Sequence, residues 1–479
     1  MDVDFELFSD RKKFEHDARN QIRKHSLDPY NRLHSIAEDI EFVQDVHEKY
    51  YSSYPLLANL RCGTWYCDSR KAGGITSHFK SSDGHYNGWS FNLRRPNLHI
   101  LAHIQAAGGI CIVDSTRSGK RMPDSLSKTV PIWCTVINRV LKFRGLANSG
   151  GWDIQLYTPP QSVSKQEHAQ IESKLLSWVE ALATSSYNLP QLDRSLRPIW
   201  VTPASTVFPS FDKNTNFLPV ICISASRSLE EGTERRRQGY SYVQGAGDDH
   251  ENWSDGLIPD VFWRCKDELL NATEADFPDV LKCIVGEARS TIHASDWAKL
   301  PTPIARVKGL LSIAAMKDLP DSVFDTRIAE EMPVPCIVIR GYPEASASIP
   351  VQHVNPTPIY DLVLQGDKKA MERAFKSSLP QCLRFIGQYI GEGRRVCIAC
   401  ETGKDLSVGI ALAALQAFFD DNGQLNLERY DSKELKVTKE SLRTRLHWII
   451  SSRPEANPSR ATLKKINEFF MSPLRSGST

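Results

Sequence analysis

Near the end of the chain, Val396 and Ile398 alternate with the cysteines of Arg395-Val396-Cys397-Ile398-Ala399-Cys400, and an apolar run from Val408 to Phe419 follows. The pattern predicts strand, tight loop, helix: Gly403 permits the turn and Asp405 or Ser407 caps a helix carrying Ile410, Leu412, Ala413, Leu415 and Phe418. Residues 1–55 read as charged helix, with Phe14, Ile22, Leu33, Ile36, Ile40, Val43 and Val46 at helical spacing. Stretches 109–113 and 218–226 read as buried strands, and 166–183 as a helix packing through Leu175, Leu176, Trp178, Val179 and Leu182. From Met332 the pattern gives a strand over 334–339, a helix over 368–379, a further run over 382–391, and a last helix with Leu463, Ile466, Phe469 and Phe470.

This divides the chain into an N-terminal helical segment (1–55), an α+β domain (56–290), a connector punctuated by Pro301 and Pro303 (291–331), and a C-terminal α/β domain (332–479). A chain of 479 residues, 41% hydrophobic and 24% charged, has ample material for such cores. The net charge of +2 neither demands nor excludes a polyanionic partner. Eleven cysteines, odd in number and without a framework, suit a reducing compartment. The acidic first ten residues do not read as a signal peptide, and no apolar run approaches a membrane span, so the expected location is cytoplasmic or nuclear, without a membrane partner.

Three loops carry candidate chemistry. In Glu401-Thr402-Gly403-Lys404-Asp405-Leu406-Ser407, backbone N–H groups and a helix N-terminus converge on one spot, an anion site suited to phosphate; an ordinary strand-to-helix turn has the same pattern. The loop from Asp114 to Lys128, with Arg117, Lys120 and Arg121 among hydroxyl residues, suits a sugar phosphate or an RNA backbone, or is a solvated surface loop. In Gln244 to Trp253, two glycines precede Asp248, Asp249, His250 and Glu251; hard oxygen ligands on a flexible turn favour Mg²⁺ over zinc, or form an acidic surface turn. Cys397 and Cys400 fit CxxC spacing but read as strand alternation.

The Cys400 loop resembles the phosphate loop of cysteine-dependent phosphatases, a Cys, five residues, then an Arg. Cys400, Gly403 and Ser407 match, but Leu406 replaces the arginine and Ala399 the usual His. Without the guanidinium, transition-state stabilisation for phosphoryl transfer is lost. The element Arg453-Pro454-Glu455-Ala456-Asn457-Pro458 also resembles dual-specificity phosphatases, which implies a phosphatase-like fold for 332–475.

Taken in order, Gly74 to Arg95, Asp114 to Lys128, Gln244 to Trp253 and Cys400 to Ser407 resemble the initiator-tRNA phosphoribosyltransferase family, the Rit1 enzymes. The resemblance implies transfer of 5-phosphoribosyl from phosphoribosyl pyrophosphate (PRPP) to the ribose 2′-hydroxyl of adenosine sixty-four in the T stem of initiator methionine tRNA, with Mg²⁺ as cofactor. On this basis, Cys400 to Ser407 cradle a PRPP phosphate, Lys404 adds charge and Asp405 is the base. His85 and Arg94 position substrate, Arg117, Lys120 and Lys128 bind pyrophosphate or tRNA, and Asp248 and Asp249 hold Mg²⁺. No obligate protein partner is expected. The competing expectations are an active cysteine-dependent phosphatase and an inert tRNA-binding pseudophosphatase.

Overall fold

The computed structural model describes residues 25–68, 75–81, 87–116, 119–147, 151–212, 215–229, 233–236, 239–291, 301–316, 319, 334–342, 359–430 and 437–471. The chain forms two compact units, the first comprising residues 1–184 and 188–290, the second 185–187 and 291–479.

In the first unit, α1 (Pro29–Tyr50) starts at Asp28, whose carboxylate accepts the Tyr30 N–H. It buries Leu33, Ile36, Ile40, Val43 and Val46. Strands β1 (Leu56–Asn59) and β2 (Thr76–Ser77), helix α2 (Leu101–Ala107), strand β3 (Ile110–Asp114) and helices α3 (Val130–Phe143) and α4 (Lys165–Ala183) follow. Next come β4 (Ser195–Val201), β5 (Phe217–Ser224), β6 (Thr233–Arg235), β7 (Ser241–Val243), α5 (Pro259–Arg264), α6 (Lys266–Asn271) and α7 (Phe277–Thr291).

The main sheet runs β2-β1-β3-β5-β4 with every neighbour parallel, and β6-β7 is an antiparallel ribbon. A parallel sheet needs both faces covered, which is why β3 and β5 read as continuous apolar runs rather than alternating ones. The described part of the N-terminal helical segment belongs to this unit: α1 supplies Leu33, Ile36, Ile40 and Val43 to the same core as Val113, Ile221 and Ile223. On α4, Leu175, Val179 and Leu182 are buried as expected, but Leu176 is 65% exposed because it lies one residue off that face.

The second unit contains β8 (Thr302–Pro303), β9 (Leu311–Ala315), β10 (Cys336–Tyr342), β11 (Ile359–Gln365), α8 (Lys368–Gly391), β12 (Val396–Cys400), α9 (Leu406–Phe418), α10 (Lys439–Ser452) and α11 (Arg460–Met471). Its sheet order is β11-β10-β12-β9-β8, parallel except for edge strand β8. Residues 302–315, assigned from the sequence to a connector, therefore supply two strands of this sheet. The helical runs on either side of Pro380 form one helix of 24 residues. Strand β12 is central and fully buried, and α9 buries every residue from Ser407 to Phe418. Among the described residues no helix is long and apolar enough to cross a membrane.

Candidate active site

In the second unit, β12 delivers Cys400 to the carboxyl end of the sheet, where Gly403 turns the chain at φ +64° and α9 begins at Leu406. Two of the loop's carbonyls, Gly403 O and Lys404 O, are tied to residues outside the loop, while Cys400 O closes a turn within it and Asp405 O starts the helix ladder. Cys400 O accepts the Gly403 N–H at 3.2 Å, Lys404 O the Asn457 N–H at 2.8 Å and Asp405 O the Gly409 N–H at 2.9 Å. Gly403 O accepts from Arg453 Nε at 2.9 Å. The opening turn of α9 leaves its own N–H groups without intrahelical acceptors, the arrangement that receives an anion.

Cys400 is buried, and its Sγ lies 3.1 Å from Ser407 Oγ, so the thiol is tied to the helix start. Glu401, Thr402 and Lys404 are exposed, and Leu406 is half-buried against the apolar core. The position of the phosphatase arginine is thus held by a side chain that packs.

Two residues have roles that sequence reasoning did not assign. Asp405 is no side-chain cap for α9; its Oδ1 accepts from the Ser459 N–H at 2.8 Å and from Thr462 Oγ1 at 2.6 Å, latching the loop to α11. Arg453, 3% exposed, lies beneath the loop and also donates to Thr302 Oγ1 at 2.8 Å and Ile313 O at 3.2 Å. The Arg-Pro-x-Ala-Asn-Pro element was the available signal: Arg453 and Asn457 together fix two loop carbonyls.

In the first unit, the carboxyl ends of β1, β3 and β5 gather a second polar cluster around fully buried Asp114. Asp114 accepts from Asn59 Nδ2 at 2.8 Å, Cys62 Sγ at 2.9 Å, its neighbour Ser115 N–H at 2.9 Å and Ser125 Oγ, with Arg61 Nε 3.6 Å away. Burial, followed by the Asp114 carboxylate, pushes the Cys62 thiol well up, so it stays protonated and donates. Burial opposes the Arg61 cation, but the charges around it, Asp114 and Asp248 among them, outweigh burial and hold it protonated. Linked to this cluster through the Ser115–Ser226 hydroxyl pair, Ser226 Oγ and Tyr242 OH donate to Asp39, whose carboxyl burial raises well above the usual range. None of Asn59, Arg61 or Cys62 stood out in the sequence, because β1 is only four residues long and no motif marks its end.

The remaining predicted residues divide. His85 and Arg117 lie outside the described residues. Arg94 is half-buried, and its backbone N–H donates to Asn92 Oδ1. Lys120 Nζ and Lys128 Nζ converge on Asp124, at 2.8 and 3.4 Å, and Lys128 also meets Glu167 at 2.7 Å. Gln244 Nε2 donates to Lys120 O, so the Asp114–Lys128 and Gln244–Trp253 loops meet in this unit.

Asp248 Oδ1 accepts from Arg61 at 2.8 Å, while Asp249 is exposed at φ +47°. Among the described residues no group of three or more His, Cys, Asp or Glu side chains is placed to hold a metal ion. Asp248, with Arg61 on its carboxylate, and Asp249 therefore form no metal cage of protein ligands among the described residues; two carboxylates alone suit only a Mg²⁺ that keeps water and shares substrate phosphates.

The family model described as Rit1 N-terminal domain matches residues 22–286, and that described as Rit1 DUSP-like domain matches 358–470. The chain is 32% identical over 486 aligned residues, covering 94% of this chain and 93% of the relative, to the tRNA A64-2′-O-ribosylphosphate transferase of Saccharomyces cerevisiae. The chain belongs to the Rit1 family. An uncharacterized protein of Schizosaccharomyces pombe is 39% identical over 295 residues, 60% of this chain and 64% of that one. Among solved structures, the Yvh1 phosphatase domain from Chaetomium thermophilum covers 36% of this chain and 98% of its own at 20% identity and a TM-score of 0.25. The phosphatase-like character of the second Rit1 domain rests on the family match.

Proposed function

We propose that this Rit1-family protein transfers 5-phosphoribosyl from PRPP to the 2′-hydroxyl of adenosine sixty-four in initiator methionine tRNA, in the cytoplasm. Similarity to the yeast ribosylphosphate transferase over nearly the whole chain supports the activity. One structural observation carries the reading: a phosphate-type loop, with Gly403 O and Lys404 O tied away by Arg453 and Asn457, in which half-buried Leu406 packs against the core where a phosphatase has its arginine. Such a loop can bind a phosphate it does not cleave.

The 2′-oxygen attacks the anomeric carbon of PRPP, the bond to pyrophosphate breaks, the pyrophosphate leaves with the electron pair, and the hydroxyl proton passes to a base. The Gly403 and Lys404 N–H groups are turned to Cys400 O and Thr402 Oγ1, so the N–H groups opening α9 hold the PRPP phosphate, and Lys404 adds a charge from the rim. Asp405 Oδ1 is taken by Ser459 and Thr462, while Oδ2, which receives no hydrogen bond from the described residues, is the oxygen left for the proton. Arg61 and the Lys120 and Lys128 pair offer cations to an anionic substrate at the edge of the first unit.

The test is incubation with initiator tRNA, Mg²⁺ and ribose-labelled PRPP. Label retained on the tRNA is expected, stoichiometric with pyrophosphate released. Release of phosphate from an aryl phosphate without label transfer would overturn the reading in favour of a phosphatase.

A further inference from the structure

Helices α8, α10 and α11 of the second unit enclose an open groove of about 630 Å³ that the chemistry above does not use. Lys376 comes from α8, Lys439 from the first turn of α10, and Arg460 and Lys464 from α11. Arg460, Lys464 and Glu468 lie at i, i+4 and i+8 and so share one face, about 12 Å long at 1.5 Å per residue. Four cations against Glu468 alone leave the lining at +3.

The cations are not locked. Glu468 is shared by Lys465 at 3.2 Å, Lys376 at 3.7 Å and Lys464 at 3.9 Å, so one carboxylate is divided among three lysines, and Lys464 and Lys376 meet it only at long range. The Lys465 hydrogen bond and the surrounding lysines lower the Glu468 pKa, as a net positive field requires. The lining is unlike a protein-binding surface, where lysine is depleted at the centre and aromatic anchors dominate; only Leu463 and Met471 are apolar here. Lysines drawn from three helices suit a chain of phosphates. Thr462, which holds the Asp405 latch, lies two residues from Arg460 and so on another face of α11, away from the lysine-lined one.

We propose that this groove seats the phosphate backbone of the tRNA along the lysine-lined face of α11. The proposal rests on the tRNA-transfer reading and adds where on the second unit the RNA is held.

The test compares wild type with Lys376→Ala/Lys439→Ala/Lys464→Ala for binding of an initiator tRNA transcript without PRPP, by fluorescence anisotropy across a KCl series. Steady-state kinetics are measured in parallel. At least a tenfold weaker Kd is expected near physiological salt. The slope of log K against log salt should be shallower by about two to three, since each of the three lost phosphate contacts contributes roughly 0.7 to 0.9. KM for tRNA should rise with KM for PRPP unchanged. Glu468→Gln should act oppositely, tightening tRNA binding, which guards against a fold defect in the triple variant. Wild-type Kd and slope in the triple variant would overturn the groove while leaving the transferase reading intact. Failure of wild type to bind tRNA at all would overturn both. Loss of binding to an acidic peptide with tRNA affinity unchanged would reassign the surface to a protein partner.

Discussion

Replacing Gly403 by alanine tests whether the loop geometry creates the phosphate cradle. Gly403 sits at φ +64°, where an L side chain costs about 1–2 kcal/mol. A Cβ there would lie 2.6 Å from Ala315 N, 2.8 Å from Ala314 C and 2.7 Å from Arg453 Nη2. The first two are backbone of a strand hydrogen-bonded to β12, and the guanidinium is held by three acceptors, so none can yield freely. Crowding of this kind costs a further ~1–3 kcal/mol, giving a total of about 2–5 kcal/mol. Gly409→Ala, inside α9, is the comparison: its Cβ would meet Thr462 Cγ2 of α11 at 2.6 Å and Phe375 Cζ of α8 at 3.0 Å, a crowding cost that the helix preference for alanine offsets by about 0.5–1 kcal/mol. Urea melts read the stability of both, and PRPP-dependent transfer reads the cradle. Gly403→Ala should be the more destabilised of the two and should raise KM for PRPP, whereas Gly409→Ala, which presses on the Asp405 latch at Thr462, should act on kcat rather than on KM for PRPP. A Gly403→Ala protein with wild-type urea midpoint and wild-type PRPP kinetics would refute the account.

Cys400→Ser should retain transferase activity within a few fold, because the thiol bonds Ser407 Oγ rather than facing a substrate; complete loss in a folded protein, read by label transfer, would make Cys400 a nucleophile. Asp405→Asn keeps an acceptor oxygen for Ser459 and Thr462 while removing the carboxylate, so the urea midpoint should hold while kcat falls at least tenfold; Asp405→Ala should lose both. Burial, followed by nearby Arg443, lowers the His447 pKa to about 4, and its Nδ1 has no hydrogen-bond partner among the described residues. The folded pKa lies below the unfolded one near 6.5. The stability from neutral His447 is therefore fully present above pH 6.5 and lost as pH falls towards 4. Melts of His447→Gln across that window should show a flatter pH dependence than wild type.

Most elements were legible because periodicity reports burial directly. The five apolar positions of α1 and the opening run of β12 need no knowledge of their partners. What stayed hidden depends on partners distant in sequence. Strand β9 shows no alternation, and only its parallel register with β12 makes a sheet strand of residues that otherwise look connective. At Pro380 the sequence shows a break, yet the helix runs through it, with Phe375, Leu379, Cys382 and Leu383 on both sides buried in one core. The anion loop could be seen from its strand, glycine and helix. The Asp405 latch could not, since its donors lie more than fifty residues on. The Asp114 cluster was hidden for the same reason: its donors come from residues 59, 62 and 125.

The position of β12 between β10 and β9 bears on how this domain could be inherited or transplanted. The phosphatase-like match begins at residue 358, but both neighbours of the loop-bearing strand come earlier, from 311–315 and 336–342. A fragment starting at 358 would leave β12 with two open edges, and Gly403 and Arg453 without the Ala314, Ala315 and Ile313 backbone against which they are set. The smallest heritable unit that carries the cradle is therefore larger than its recognisable sequence signature, beginning near residue 301.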